Sequence, residues 1–181
     1  SEAFLFVKKW MGSEYFEIGE KINIELCAGE AYQVKIELGG NELPLADKGM
    51  GSIQAMLLIL RLACIIHKSK INSIKPIILI EEPELNLHPA LQSKLADLFL
   101  EVKQSGIKLI VETHSEYLIR QTQLLVKDNY FEIKPNDNPF CVLYFDMQEQ
   151  WKMNYREDGK FIEEFGTGFF DETRKIVKKM M

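Results

Sequence analysis

The feature that most constrains the fold of this chain is a pair of short apolar runs separated by one helical pattern. The runs are residues 77–80 and 107–113, and between them, over residues 91–102, apolar side chains recur at helical spacing. Apolar runs of this kind are typical of parallel strands buried on both faces. Strand, helix and strand with short connections predict a right-handed parallel βαβ unit, and therefore an α/β fold.

The residues before this unit predict a helix end and a hairpin. Over residues 3–11, Phe4, Val7 and Met11 lie on one stripe of a helix. Residues 22–26 and 32–38 alternate between apolar and polar side chains, which predicts two antiparallel strands with one wet face. Flanking antiparallel hairpins therefore accompany the parallel core.

The longest apolar stretch predicts a buried helix. It covers residues 53–66 and is interrupted by Gln54 and Arg61, short of the roughly 20 residues that a membrane crossing requires. The helix is expected to run to about His67, and a loop from Gly39 to Gly51 is expected to precede it. No membrane partner is expected.

The C-terminal third predicts a loop, a second hairpin and a terminal helix. The loop is residues 134–139, the hairpin strands are 140–145 and 151–156, and the helix is 171–181. We find no internal repeat, and one domain covering residues 1–181 is the simplest division.

Charge and cysteine content narrow the class of protein. The formal net charge is −5, which provides no sequence-independent attraction to a nucleic-acid backbone. Three dispersed cysteines, Cys27, Cys64 and Cys141, do not predict a disulfide framework. With no secretory signal pattern at the start of the sequence, these features predict a reducing, cytoplasmic compartment.

An acidic pair follows the first apolar run. Glu81 and Glu82 are expected at the carboxyl end of the strand, the edge where open parallel sheets bind ligands. A divalent metal with a polyphosphate would offset their repulsion, since Mg²⁺ is typically held by one or two carboxylates together with phosphate oxygens. The other interpretation is a solvated acidic strand end.

Two further segments accompany the acidic pair. His114 leaves the second run just before a helix that Ser115 could cap, and its imidazole can donate a hydrogen bond even when neutral. Residues 47–54 place small residues before the apolar helix, where free N–H groups can approach an anion. Structural and turn roles remain open for both segments.

Residues 77–89 resemble the ABC-type Walker B segment in the form seen in SMC, RecF and OLD-like ATPases. Four apolar residues, two acids, Pro83, Glu84 and the run Leu-Asn-Leu-His-Pro carry the likeness. By this resemblance Walker B covers residues 77–84, Glu81 is the Mg²⁺-side acid and Glu82 the general base for water. Many relatives have Asp at the first position, so Glu81 is one methylene longer.

The same resemblance assigns the other segments. His114 is similar to the switch histidine that contacts the γ-phosphate, and residues 47–54 are similar to the signature loop, although they depart from Leu-Ser-Gly-Gly-Gln. The candidate nucleotide-contacting residues are Gly49, Gly51, Ser52, Gln54 and Asn86. Asn86 lies in the region similar to the D-loop, and His88 with Pro89 fits either that loop or a helix entry.

The sequence contains no GxxxxGK[ST] phosphate loop. The resemblance therefore implies the C-terminal part of an ATPase head that uses ATP and Mg²⁺ and is inactive alone. Its expected partners are its own N-terminal phosphate-loop lobe and a second copy across the nucleotide, with DNA or an effector protein bound through other regions.

Two alternatives stay open at this point. One is a degenerate head that docks a partner or responds to nucleotide without hydrolysis. The other is a metal-dependent nuclease using five side chains: Glu81, Glu82, Glu84, His88 and His114.

Overall fold

The computed structural model describes residues 2–27, 29, 31–129 and 138–180, which form two compact units, Ser1–Leu118 and Ile119–Met181. The first unit contains, in chain order, α1 (Glu2–Met11), β1 (Lys21–Cys27), β2 (Ala31–Leu38), β3 (Asn41–Pro44), α2 (Met50–Asn72), β4 (Ile77–Glu81), α3 (Pro89–Gln104) and β5 (Lys108–Glu112). Helix α4 (Glu116–Asn129) begins in the first unit and continues into the second. The second unit then contains β6 (Val142–Phe145), β7 (Gln150–Met153) and α5 (Glu172–Lys179).

The predicted βαβ unit is confirmed. Strands β4 and β5 pair in parallel, in a register that places Ile77 opposite Lys108 and Glu81 opposite Glu112. Helix α3 connects them, beginning with Pro89 in its first turn and followed by Gly106 at a φ of 84°. Proline is favoured in the first turn of a helix, and glycine is favoured just after its last turn. The α/β fold predicted from the sequence is therefore present.

The prediction that these strands are buried on both faces is wrong for the described residues. Ile77 and Leu79 are 61% and 72% exposed, and Ile110 on β5 is 59% exposed. Only the alternate side chains, such as Ile78 and Val111, are partly covered. The two strands therefore present one apolar face that nothing in the described parts of this unit covers.

The predicted first hairpin is also confirmed, and it gains a third strand. The order is β1-β2-β3, all antiparallel, so part of the expected loop between residues 39 and 51 is strand β3 and a turn of 3₁₀ helix at Leu45–Asp47. Lys35 forms ion pairs with Glu25 and Glu42 on the polar face. On the opposite, apolar face Ile36 is buried, whereas Tyr32 is 75% exposed. The apolar face of this sheet is therefore only partly covered.

Helix α2 provides the core of the first unit. It is 23 residues long and extends to Asn72, beyond the expected end near His67. By length and composition it is the one helix in the described residues that could cross a membrane, although a core helix passes the same test. Its buried stripe packs with α1, and the buried residues are Gly51, Ala55, Met56, Ile59, Leu62, Ala63 and Ile66.

The stripe predicted for α1 is only partly right. Met11 is buried as expected, together with Phe6 and Trp10. Phe4, in contrast, is 61% exposed. The buried stripe of the helix is therefore rotated relative to the predicted one, so that Phe6 and Trp10 reach the core.

The second unit is organised around an aromatic cluster. Strands β6 and β7 pair antiparallel, as predicted, and the terminal helix is present as α5. Tyr144 packs against Trp151, Phe165 and Phe169 at centroid distances of 4.8, 5.4 and 5.0 Å. Most of the predicted loop at residues 134–139 lies outside the described residues.

Candidate functional site

The turn after β4 holds two residues in an unusual backbone conformation. Glu82 has a φ of 44° and Asn86 a φ of 61°, both in the left-handed region. The N–H of Glu82 still donates to the Glu112 carbonyl at 3.0 Å, so strand pairing continues up to the point where the chain turns. Asparagine adopts this region readily, whereas glutamate is strained there by about 1–2 kcal/mol, and such strain is concentrated at functional sites.

The turn brings the two predicted catalytic side chains together. His114 Nε2 lies 3.8 Å from Glu82 Oε1, and both side chains are solvent-accessible. This separation is longer than a direct hydrogen bond. Both groups lie at the carboxyl ends of the parallel strands, where the sequence predicts a ligand to bind.

Glu81 has a different environment from its neighbour. It ends β4 on the exposed face that also carries Ile77 and Leu79, and its register partner across the sheet is Glu112. Two like charges opposite one another are destabilising, and a cation relieves the repulsion. Among the described residues no group of three or more histidine, cysteine or carboxylate side chains is placed to hold a metal. Glu81 fits Mg²⁺ as a ligand that shares it with phosphates and water.

Glu84 is buried beneath the site, at 8% exposure. Its Oε1 accepts a hydrogen bond from the backbone N–H of His114 at 2.6 Å, and its Oε2 has no hydrogen-bond partner among the described residues. The sequence pattern does not distinguish Glu84 from the two acids before it, because its partner is 30 residues away. The structure thus uses this carboxylate to hold the His114 backbone.

The helix following His114 is capped as predicted. Ser115 Oγ accepts from the N–H of Leu118 at 3.1 Å and donates to Oε1 of Gln92, on α3, at 2.6 Å. Gln92 in turn donates from Nε2 to the carbonyl of Leu87 at 3.0 Å. No motif marks Gln92, since a polar residue on a partly covered helix face is ordinary in sequence.

His88 forms the start of α3. Its Nδ1 accepts from the N–H of Ala90 at 3.3 Å, and Pro89 follows in the first turn. The helix-entry interpretation of this pair is therefore confirmed, and the interpretation as part of a D-loop stays a prediction. Of the five side chains of the nuclease interpretation, Glu84 and His88 are engaged in contacts within the protein.

The segment at residues 47–54 leads into α2 and contacts the turn after β4. Gln54 Oε1 accepts from Asn86 Nδ2 at 3.0 Å. Gly51 is buried, and a Cβ at its position would lie 2.2 Å from the Asn86 carbonyl oxygen. The absence of a side chain at Gly51 is therefore a packing requirement.

Gly49 and Ser52 differ from Gly51. Gly49 is the N-cap residue of α2 with no side-chain cap, and a Cβ there would have no neighbour within 4 Å. Ser52 is half-buried one turn into the helix. The N–H of Ser52 already donates to the Gly49 carbonyl at 3.0 Å. Gly49 and Ser52 therefore stay candidates for contact with an anion through the Ser52 hydroxyl and the positive end of the helix dipole.

A match to a protein-family profile covers nearly all of the first unit. A family profile described as AAA ATPase domain matches residues 5–119, more than half of the chain. A search of the curated proteins finds no match.

The chain is also similar to solved structures of SMC heads, at low sequence identity and at TM-scores below 0.5. One, from work on ATP-driven dimerization and DNA-stimulated activation of SMC ATPases, is 11% identical with a TM-score of 0.47, over 99% of this chain and 93% of that one. The Smc head with coiled coil and joint from Pyrococcus yayanosii is 14% identical with a TM-score of 0.48, over 97% of this chain and 29% of that one. The ScpA-bound head from Pyrococcus furiosus is 14% identical with a TM-score of 0.47, over 98% and 38%.

Proposed function

The chain belongs to the AAA ATPase domain family, a family of nucleotide-binding ATPases, and from that premise we propose that it is the Walker B and switch part of an ATP-hydrolysing head. The observation that carries the proposal is the 3.8 Å approach of His114 to Glu82 at the carboxyl ends of β4 and β5. The strained backbone at Glu82 supports it, because such strain is concentrated at functional sites.

In this proposal each side chain has one role. Glu82 accepts a proton from the water that attacks the γ-phosphate, which a carboxylate can do where the water lies within hydrogen-bond reach. His114 donates a hydrogen bond to a γ-phosphate oxygen and so responds to its presence. Glu81 is a ligand for Mg²⁺, which when bound neutralises phosphate charge.

The phosphate loop is proposed to come from a lobe outside this sequence. The uncovered face of β4 and β5 supports this, since parallel strands are normally covered on both faces and here Ile77, Leu79 and Ile110 are exposed. A lobe that packs on this face would bring its phosphate loop beside Glu81. The chain alone is then expected to be inactive.

A second copy is proposed to complete the site. Gly49, Ser52 and Gln54 begin α2 and would approach the phosphates held by the opposite copy, with Asn86 facing that copy. Gly51 is buried below these residues, where it packs against the Asn86 carbonyl. Such a dimer would work in the cytoplasm, and binding of DNA or an effector protein would use other regions.

The test is ATP turnover in a protein that joins this chain to its phosphate-loop lobe. Glu82→Gln is expected to lower kcat by about 10²–10⁴-fold while ATP still binds, because the amide cannot accept the proton. Glu157→Gln, at an exposed turn of the second unit, is the matched control and should keep the wild-type rate. Wild-type turnover by Glu82→Gln would exclude Glu82 as the general base.

Labelled-ATP titration separates hydrolysis from docking. The joined protein should bind ATP tightly and the 181-residue chain weakly, since phosphate loop and chain must meet to form the site. If neither binds, the head is a docking module and the proposal fails.

A further inference from the structure

Gln92 links two segments that belong to the proposed site. From its place on α3 it donates from Nε2 to the Leu87 carbonyl at 3.0 Å, and its Oε1 accepts from Ser115 Oγ at 2.6 Å. The orientation of the amide follows from its partners. A carbonyl can only accept, so the nitrogen must face Leu87, and the oxygen must face Ser115.

At the Ser115 end of this link, the hydroxyl group is already used both as an acceptor and as a donor. The hydroxyl of Ser115 accepts from the Leu118 N–H at 3.1 Å, so its single hydrogen is left for Gln92. Ser115 is only 4% exposed, which leaves little access for a replacement partner from solvent. Loss of the amide oxygen would therefore leave a buried donor unpaired beside His114.

The Leu87 end of the link belongs to a turn that is itself held from another side. Asn86 donates to Gln54 at the start of α2, and its carbonyl lies against Gly51. From the same turn, Glu84 accepts the His114 N–H at 2.6 Å. The start of α2, the turn at residues 84–88 and the His114 segment are thus joined by direct contacts, all within the first unit.

We propose that Gln92 is a positioning residue that couples the turn at residues 84–88 to His114. Resting on the proposed function, this coupling transmits a displacement at the start of α2, where phosphates of the opposite copy would bind, to the imidazole beside Glu82. Gln92 touches no nucleotide. It sets where His114 stands, so its loss should lower kcat and leave the KM for ATP unchanged.

The first test needs only the 181-residue chain. Gln92→Glu keeps the shape and the acceptor for Ser115 but places a carboxylate oxygen against the Leu87 carbonyl. Hydrogen exchange of the His114 amide should become roughly five- to tenfold faster, the effect of weakening about one hydrogen bond. The His114 imidazole signals should shift in NMR spectra, while those of His67, in α2, should not.

Gln104→Glu is the matched control, because it adds the same charge at an exposed position of the same helix. If it changes the His114 amide as much as Gln92→Glu does, charge alone is responsible and the coupling is refuted. Gln92→Met removes both contacts without adding charge and provides a second variant if the carboxylate prevents folding. Wild-type exchange at His114 in either Gln92 variant that folds would overturn the proposal.

The second test uses the protein joined to its phosphate-loop lobe. Gln92→Met should lower kcat about tenfold with KM unchanged, whereas a parallel rise in KM would contradict a positioning role. If the wild-type protein does not hydrolyse ATP, the proposed function fails. The exchange experiment still decides whether Gln92 couples the two segments.

Discussion

Glu82 combines a strained backbone with a side chain that is proposed to act as a general base. Its φ of 44° costs stability, yet the residue directly follows a strand whose hydrogen bonding to Glu112 is intact. Strain of this kind persists where the surrounding structure over-determines it. Glu82 is therefore a position at which stability and the proposed activity should oppose one another.

Glycine at position 82 should stabilise the fold. Glycine adopts a positive φ without steric cost, so Glu82→Gly is expected to unfold with a free energy about 1 kcal/mol higher than Glu82→Ala, which keeps the strain. Chemical denaturation of the two variants measures the difference. Equal stabilities would mean that the backbone at Glu82 is not held in the left-handed region.

Tyr155 makes the stability of the second unit depend on pH in the alkaline range. Its hydroxyl lies 2.8 Å from Thr122 Oγ1, and burial raises the pKa of Tyr155 to about 12. The folded pKa lies above the unfolded value of about 10, so the stability contributed by the neutral phenol is complete below about pH 10 and is lost as pH rises toward 12.

Tyr155→Phe should remove this alkaline dependence. It costs about 1 kcal/mol at neutral pH through the lost hydrogen bond, and flattens the loss of stability between about pH 10 and 12. Denaturation across this pH range is the measurement. Tyr117, exposed on the first-unit part of α4, gives the control Tyr117→Phe, which should leave the wild-type profile unchanged.

The start of α2 lies in close contact with the turn after β4. In the sequence, Gly51 and Asn86 both lie between predicted elements. In the structure, Gly51 and the Asn86 carbonyl form a tight contact, which the Gln54–Asn86 hydrogen bond supports. A glycine at such an approach is required by the neighbouring backbone, which has no flexible end that could move away. This contact fixes how α2 stands relative to β4.

Gly51→Ala should therefore be destabilising. A methyl group 2.2 Å from a backbone oxygen forces the turn or α2 to shift, at a cost of about 1–3 kcal/mol. Gly49→Ala is the control, since a Cβ there meets nothing within 4 Å, and its cost should be limited to about 0.5–1 kcal/mol from the weaker N-cap preference of alanine. Thermal unfolding of both variants checks the contrast, and comparable losses would place the sensitivity in the N-cap.

Over the first unit as a whole, the distribution of apolar surface is unusual. Ile77, Leu79 and Ile110 are exposed on one sheet face, and the apolar face of the β1-β2-β3 sheet is open at Tyr32. Contiguous exposed apolar surface typically marks a site of contact with another chain or lobe. The first unit therefore has exposed apolar surface of the kind that another chain or lobe covers.

Self-association of the isolated chain is the expected consequence. The 181-residue chain should form concentration-dependent oligomers, and the double variant Leu79→Thr with Ile110→Thr should shift it toward monomer, because threonine keeps strand propensity while reducing apolar area. Sedimentation velocity measures both. A wild-type chain that stays monomeric at high concentration would show that this face is not adhesive.

The sequence alone determined most of the order of elements, β3 excepted, and it marked the segments that are proposed to carry chemistry. Alternation predicted the first hairpin, apolar runs predicted β4 and β5, and capping residues predicted both ends of α3 and the start of α4. These are local properties, set by the period of the side chains and by the backbone preferences of a few residues. Because parallel strands end at one edge, the approach of Glu82 and His114 agrees with their predicted positions after two successive strands.

Only the tertiary structure decided which residues support that site. The contact of Glu84 with His114 spans 30 residues, and that of Gln92 with Ser115 spans 23. Neither leaves a periodic signal, since both depend on how α3 crosses between the strands. The left-handed turn at Glu82, the packing role of Gly51 and the open face of β4 and β5 arise in the same way. They are set by which surfaces meet in space, whereas a sequence pattern records only which surfaces are apolar.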